Sequence, residues 1–280
     1  MKRFILASLS LICLAIYLYV TAPPPLEAAA PQQDRTIPAA QMFEAVNAIN
    51  AAARQIYTAR IVGQGKTAGL AFNEDWKEQG VEAGPLPALF LREVSANLER
   101  MPVPLGLYLG SDKPINPSNK FADDSSTAYT QVLATRAPVI ETLVDYGKVA
   151  MFPDFASAQP CVTCHNEHVD SPKTDWKMDD VMGATTWTWP DDMVSDTEMD
   201  AAIRATYGAV ALAWDGYLKK ATLFGTPPEI GAVWPGEGRH ALPDTETFMR
   251  AVLDVTAAPV MAQKLAATGA LPSGAQEGAE

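Results

Sequence analysis

Val139-Ile140-Glu141-Thr142-Leu143-Val144 and Lys148-Val149-Ala150-Met151-Phe152 stand on either side of Asp145-Tyr146-Gly147. Two short apolar runs around a three-residue break of turn formers predict a β-hairpin, and so an antiparallel sheet. Working outward, Val181 to Trp189 predicts another strand, and the run Leu105 to Leu109, held between Pro104 and Gly110, a further one. Ser111 to Asn119, rich in Pro and Asn, reads as a loop. On the N-terminal side, Met42, Val46, Ile49, Ala53, Ile56 and Ile61 follow a three-and-four spacing that predicts a long amphipathic helix, loosened or ended by Gly63, Gly65 and Gly69. Leu86 to Leu98, with prolines where a helix can begin, and Ser125 to Arg136 predict two more. Helices followed by short strands without regular alternation favour an α+β fold over a doubly wound one. Past Pro190 the pattern turns helical again, over Met199 to Phe224 and Thr245 to Val255.

The chain has 280 residues, 48% of them apolar, enough to bury a full core. Its net charge of −12 repels nucleic acid and anionic lipid, which removes both from the expected partners. Met1-Lys2-Arg3 precedes a run from Phe4 to Val20 with no charged residue, the pattern of a signal peptide or a membrane anchor over residues 1–22. The small-residue cleavage positions at Ala22 and Ala30 are each followed by proline, Pro23 and Pro31, which favours an uncleaved anchor with its basic end in the cytoplasm and the remainder in the periplasm. Residues 23–38, rich in Pro and Ala, read as a linker.

Chemistry concentrates at Cys161-Val162-Thr163-Cys164-His165. In a C-x-x-C-H sequence the two thiols are spaced to form thioethers with neighbouring haem vinyl groups, and the adjacent histidine can then bind the iron from the proximal side. A structural zinc site would need a fourth ligand from His168 or His240. A thioredoxin-type dithiol would need the motif to open a helix after a βαβ pattern, which the sequence does not supply. With Cys13 in the apolar leader, the donors available for the iron's sixth position are Met101, Met151, Met178, Met182, Tyr57 and His240; Met151 and Met101 are preferred because both flank predicted secondary structure. Arg100, Lys120, Lys173 and Trp176 are candidates to hold the haem carboxylates. No catalytic triad or carboxylate pair stands out, so an enzyme is not expected.

Cys161 to Asn166, Ser171-Pro172-Lys173, Asp175-Trp176-Lys177 and Asp180-Val181-Met182-Gly183 together resemble a PAS-like c-type haem sensor domain family, whose members stand alone or form ectodomains of bacterial cyclases, kinases and chemotaxis receptors. Weaker echoes precede them in Ile56-Tyr57-Thr58, Pro85-Leu86-Pro87-Ala88 and Leu107-Tyr108. The resemblance implies a PAS-like antiparallel sheet with flanking helices over residues 39–190, one covalent haem c, and binding of NO, CO or O2 or a response to redox state. It leaves residues 191–280 as a helix-rich extension. The alternative is a membrane-tethered monohaem electron carrier.

Overall fold

A computed structural model of the chain describes residues 35–238 and 240–267, together with Tyr17. In chain order the elements are β1 (Thr36–Pro38), α1 (Ala39–Ile56), a π-helical stretch (Tyr57–Gly63), α2 (Gln64–Thr67), β2 (Ala71–Asn73), β3 (Ala83–Pro85), α3 (Pro87–Leu98), β4 (Gly106–Gly110), a 3₁₀ turn (Pro117–Asn119) and α4 (Asp123–Thr135). There follow β5 (Val139–Leu143), β6 (Gly147–Phe155), α5 (Gln159–Glu167), β7 (Val181–Trp189), β8 (Met193–Ser195), α6 (Asp196–Ala221), β9 (Glu229–Gly231), β10 (His240–Ala241) and α7 (Thr245–Ala267).

The predicted hairpin is present, with Val139 paired to Met151 and Leu143 to Gly147. Its turn closes through Tyr146 N–H donating to Leu143 O and through Gly147 at φ +72°. A Cβ at residue 147 would stand 2.4 Å from the carbonyl oxygens of Trp189 and Pro190. Left-handed backbone and backbone crowding both oppose a side chain there, so Gly147→Ala should cost at least about 2 kcal/mol, read as a lower urea midpoint at unchanged slope.

β6 pairs on its other side with β7, and β7 with β4, giving a four-stranded sheet in the order β4-β7-β6-β5 with every neighbour antiparallel. Side chains alternate across it. Leu107, Ala150, Phe152, Trp187 and Trp189 join the main core with the long helices, whereas Met151, Val181 and Ala184 pack with Phe121 and with Ala128, Tyr129 and Val132 of α4 on the opposite face. The fold is therefore mixed helix and antiparallel sheet, with a thick helical layer on one side and a single helix on the other.

On the thick side α1 is pinned to the sheet twice. Trp187 Nε1 donates to Asn47 Oδ1 at 3.1 Å, and Arg54 Nη1 lies 2.5 Å from Asp154 Oδ1, which also accepts from Thr185 Oγ1 at 3.0 Å. The helix does not stop at Gly63; the π-helical stretch widens it and α2 carries it to Thr67, with Gly65 buried close against Leu70 and Phe72. Packing at these glycines outweighs their poor helix propensity.

The described residues from Arg35 onward form one compact unit, and α6 and α7 belong to its core. α6 starts earlier than its apolar pattern because Ser195 and Glu198 form a reciprocal capping box: Ser195 Oγ accepts from Glu198 N–H and Glu198 Oε2 from Ser195 N–H. α7 runs through Pro259 to Ala267, well past Val255, with Phe248, Val252 and Val260 buried along one face. At its centre Trp214 stacks on Phe248 at 4.5 Å, meets Tyr57 and Tyr217 edge-on, and donates to Pro243 O.

Residues 36–38, expected to end the linker, form β1 against β8 with Ile37 buried. The expected leader at 1–22 and the linker up to residue 34 lie outside the described residues, apart from Tyr17. Among the described residues no helix is long and apolar enough to cross a membrane.

Candidate haem-attachment site

The C-x-x-C-H motif forms most of α5, inside an excursion that leaves the sheet after β6 and returns at β7. The helix begins because Ala158 is extended and Pro160 sits in its first turn, where a missing N–H costs nothing. It ends at His168, which is extended again and whose N–H donates to Cys164 O.

The excursion is closed at its base. Ala156 N–H donates to Asp180 O at 2.8 Å and Asp179 N–H to Ala156 O at 3.0 Å. Arg136, left-handed at the end of α4, donates from Nη2 to Asp179 O at 2.9 Å and pairs with its carboxylate at 2.6 Å; its guanidinium also lies 4.8 Å from the centre of the Phe155 ring.

Inside the excursion, Ala156, Val162 and Trp176 form a small buried cluster with Met182 against it. Cys161 and Cys164 are free thiols, each partly exposed. Residues 161, 164 and 165 stand at i, i+3 and i+4, so they share one face of α5. The imidazole of His165 meets the indole of Trp176 edge-on, 6.3 Å between centres and 86° between planes. His165 Nδ1 and Trp176 Nε1 are both buried with no hydrogen-bond partner among the described residues. Burial, and after it the neighbouring His168, holds the His165 pKa below the usual histidine value, which favours the neutral ring. Burial pushes the Cys164 thiol up, against the pull of Lys66.

Trp176 is held from two sides. Asn166 spans its backbone, accepting from Trp176 N–H at 2.8 Å and donating to Trp176 O at 3.0 Å. Lys173 places its ammonium 4.3 Å from the indole centre while pairing with Asp175. His168 accepts from Asp170 N–H at Nδ1 and lies 3.8 Å from Glu74 through Nε2.

The sequence candidates thus divide. Cys161, Cys164, His165, Lys173 and Trp176 come together in one excursion. Met151 is buried beneath α4 and Met101 packs in the helical core, its Cε 3.3 Å from where a Cβ on Gly208 would stand. Tyr57 is stacked on Phe90 with its hydroxyl donating to Pro85 O. Met178 is exposed, and His240 lies on β10 with Nε2 2.7 Å from Gly236 O. Met182 is the candidate methionine that shares the Trp176 cluster. Arg100 and Lys120 are exposed and lie outside that cluster. Sequence reasoning did not find the pairing of Asn166 with Trp176 or of Glu74 with His168, because both join positions that no local spacing connects.

Residues 28–190 match the Tll0287-like family. The chain belongs to the Tll0287-like family. No curated protein and no solved structure matches it. The Tll0287-like span takes in the whole four-stranded sheet and the whole excursion, and it ends one residue after β7; α6 and α7 lie beyond it.

Proposed function

We propose that the chain is a c-type monohaem protein of the periplasm, with the haem bonded to Cys161 and Cys164 and its iron bound by His165, working as a PAS-like redox- or gas-responsive module. The observation that carries this reading is the half-buried His165 imidazole, its Nδ1 buried and without a hydrogen-bond partner among the described residues, next to the free thiol of Cys164 and one turn after that of Cys161. A buried nitrogen without a partner is costly, and a metal ion is one group that satisfies it. Haem would supply an iron centre able to exchange one electron or take a small gas.

The rival chemistries fit the residues less well. A redox dithiol of the thioredoxin type belongs to a helix that follows a βαβ pattern. Although α5 does open with the motif, it joins antiparallel neighbours rather than the parallel strands of a βαβ unit. Among the described residues no group of three or more His, Cys, Asp or Glu side chains is arranged to hold a metal ion directly, so structural zinc lacks its ligand set.

Burial of Met151 under α4 and packing of the partly buried Met101 against the helical core favour the responsive module over the electron carrier, since both preferred sulfur donors are engaged in packing. The test is an absorption spectrum of the haem-loaded protein, ferric and ferrous, with and without NO or CO. The expected result is a displaced Soret band on adding either gas. A low-spin iron with a methionine-sulfur band that ignores both gases would transfer the reading to the electron carrier.

A further inference from the structure

We infer that Asn166 is a positioning residue for His165, acting through Trp176. The inference rests on the haem reading and adds to it a residue that sets how the imidazole presents itself. A histidine ring turns easily about its last side-chain bond, where the preference is broad and nearly two-fold, so its plane is decided by its neighbours. Here the neighbour is the indole of Trp176, standing perpendicular to the ring at 6.3 Å. Trp176 lies ten positions after Asn166, on a stretch with no regular secondary structure to hold it. Its indole packs with Val162 of α5, and what fixes its backbone to that helix is the Asn166 amide, which takes both the N–H and the C=O of the one residue. Each end of the amide is used, and turning it over would set donor against donor and acceptor against acceptor. The Lys173 ammonium over the indole completes the hold.

Partners that orient a ligating histidine tune the metal as well as the geometry. Removing the amide should therefore alter the electronic state of the iron while leaving the thioether bonds in place.

The experiment uses the full chain, matured with haem, as unaltered protein and as Asn166→Ala, Asn166→Asp and Arg136→Ala. Haem per chain is read by mass, the iron by low-temperature electron paramagnetic resonance and by midpoint potential. Asn166→Ala should keep one haem per chain yet shift the g-values beyond the unaltered linewidth and displace the potential. Asn166→Asp retains an acceptor for Trp176 N–H and loses the donor, so it should fall between the two; it also serves if the alanine variant does not fold. Arg136→Ala loosens the base of the excursion without touching the amide and should melt earlier with unchanged g-values. Unaltered g-values and potential in both Asn166 variants, or an equal shift in Arg136→Ala, would overturn the inference and leave the haem reading standing. An unaltered chain that takes up no haem would remove both.

Discussion

The Cys161→Ser, Cys164→Ser double variant should leave a host that matures c-type cytochromes colourless, with the mass of the polypeptide alone, while the unaltered chain gains the mass of one haem. The thioether bonds need both sulfurs, and serine, of nearly the same shape, cannot form them. Because the two thiols are partly exposed and lie on the surface of α5 rather than in the core, the double variant should retain its fold and melting temperature apart from whatever the haem contributes. That contrast separates loss of attachment from loss of structure. Each single variant keeps one possible bond and should yield less haem, held by one link. His165→Ala, by contrast, should keep covalent haem but change its spin state, since the thiols remain while the imidazole is gone. If the unaltered chain instead accumulates a Cys161–Cys164 disulfide and takes up no haem, the dithiol reading replaces the one given above.

Ending the chain after Pro190, where the family match stops, should abolish folding. Trp214, Tyr217 and Phe248 all lie beyond that point, all are fully buried, and Trp214 is in ring contact with Tyr57 of the retained part. Burying one large apolar side chain is worth about 1.5–3 kcal/mol. Three such losses amount to about 5–9 kcal/mol, against a total stability of about 5–15 kcal/mol for an ordinary domain. The retained faces of α1 and α3 would also stand open to water. A graded form of the same test is Trp214→Ala in the full chain, with an expected cost of about 3–5 kcal/mol in urea or thermal unfolding, including the loss of the indole bond to Pro243 O. A fragment ending at residue 190 that melts cooperatively, with the far-ultraviolet dichroism of a folded protein, would show that α6 and α7 are an addition to a self-sufficient core.

What the sequence made legible follows from how far each feature reaches along the chain. The hairpin, β7, α3 and α4 were readable because an apolar run between turn formers or caps is a local signal. The pairs β1 with β8 and β9 with β10 were not, since strands of two or three residues have no period to read, and β1 is in addition held by a partner far along the chain. The helical run begun by α1 continues past Gly63 into α2, and α7 passes through Pro259, because tertiary packing decides there against intrinsic propensity. The same rule divides the site. Cys161, Cys164 and His165 are legible because five consecutive residues state the chemistry, and Trp176 because it follows closely on the same excursion. The fates of Met101 and Met151 depend on which side of a helix or sheet they face relative to α5, and periodicity alone does not connect those faces.

One consequence of the closed base of the excursion concerns how such a protein can vary. Ala156, Asp179 and Asp180 bring the two ends of the segment together as closely as strand neighbours, and Arg136 locks them from outside. To the sheet, the intervening residues are a loop whose ends never part. The entropy of closing a loop grows only with the logarithm of its length, about 0.6 kcal/mol for each doubling. Insertions and deletions between these two hinge points that spare the Val162–Trp176 cluster should therefore be nearly neutral for folding, and the motif-bearing segment can change in length and in its ligands without redesign of the body that holds it.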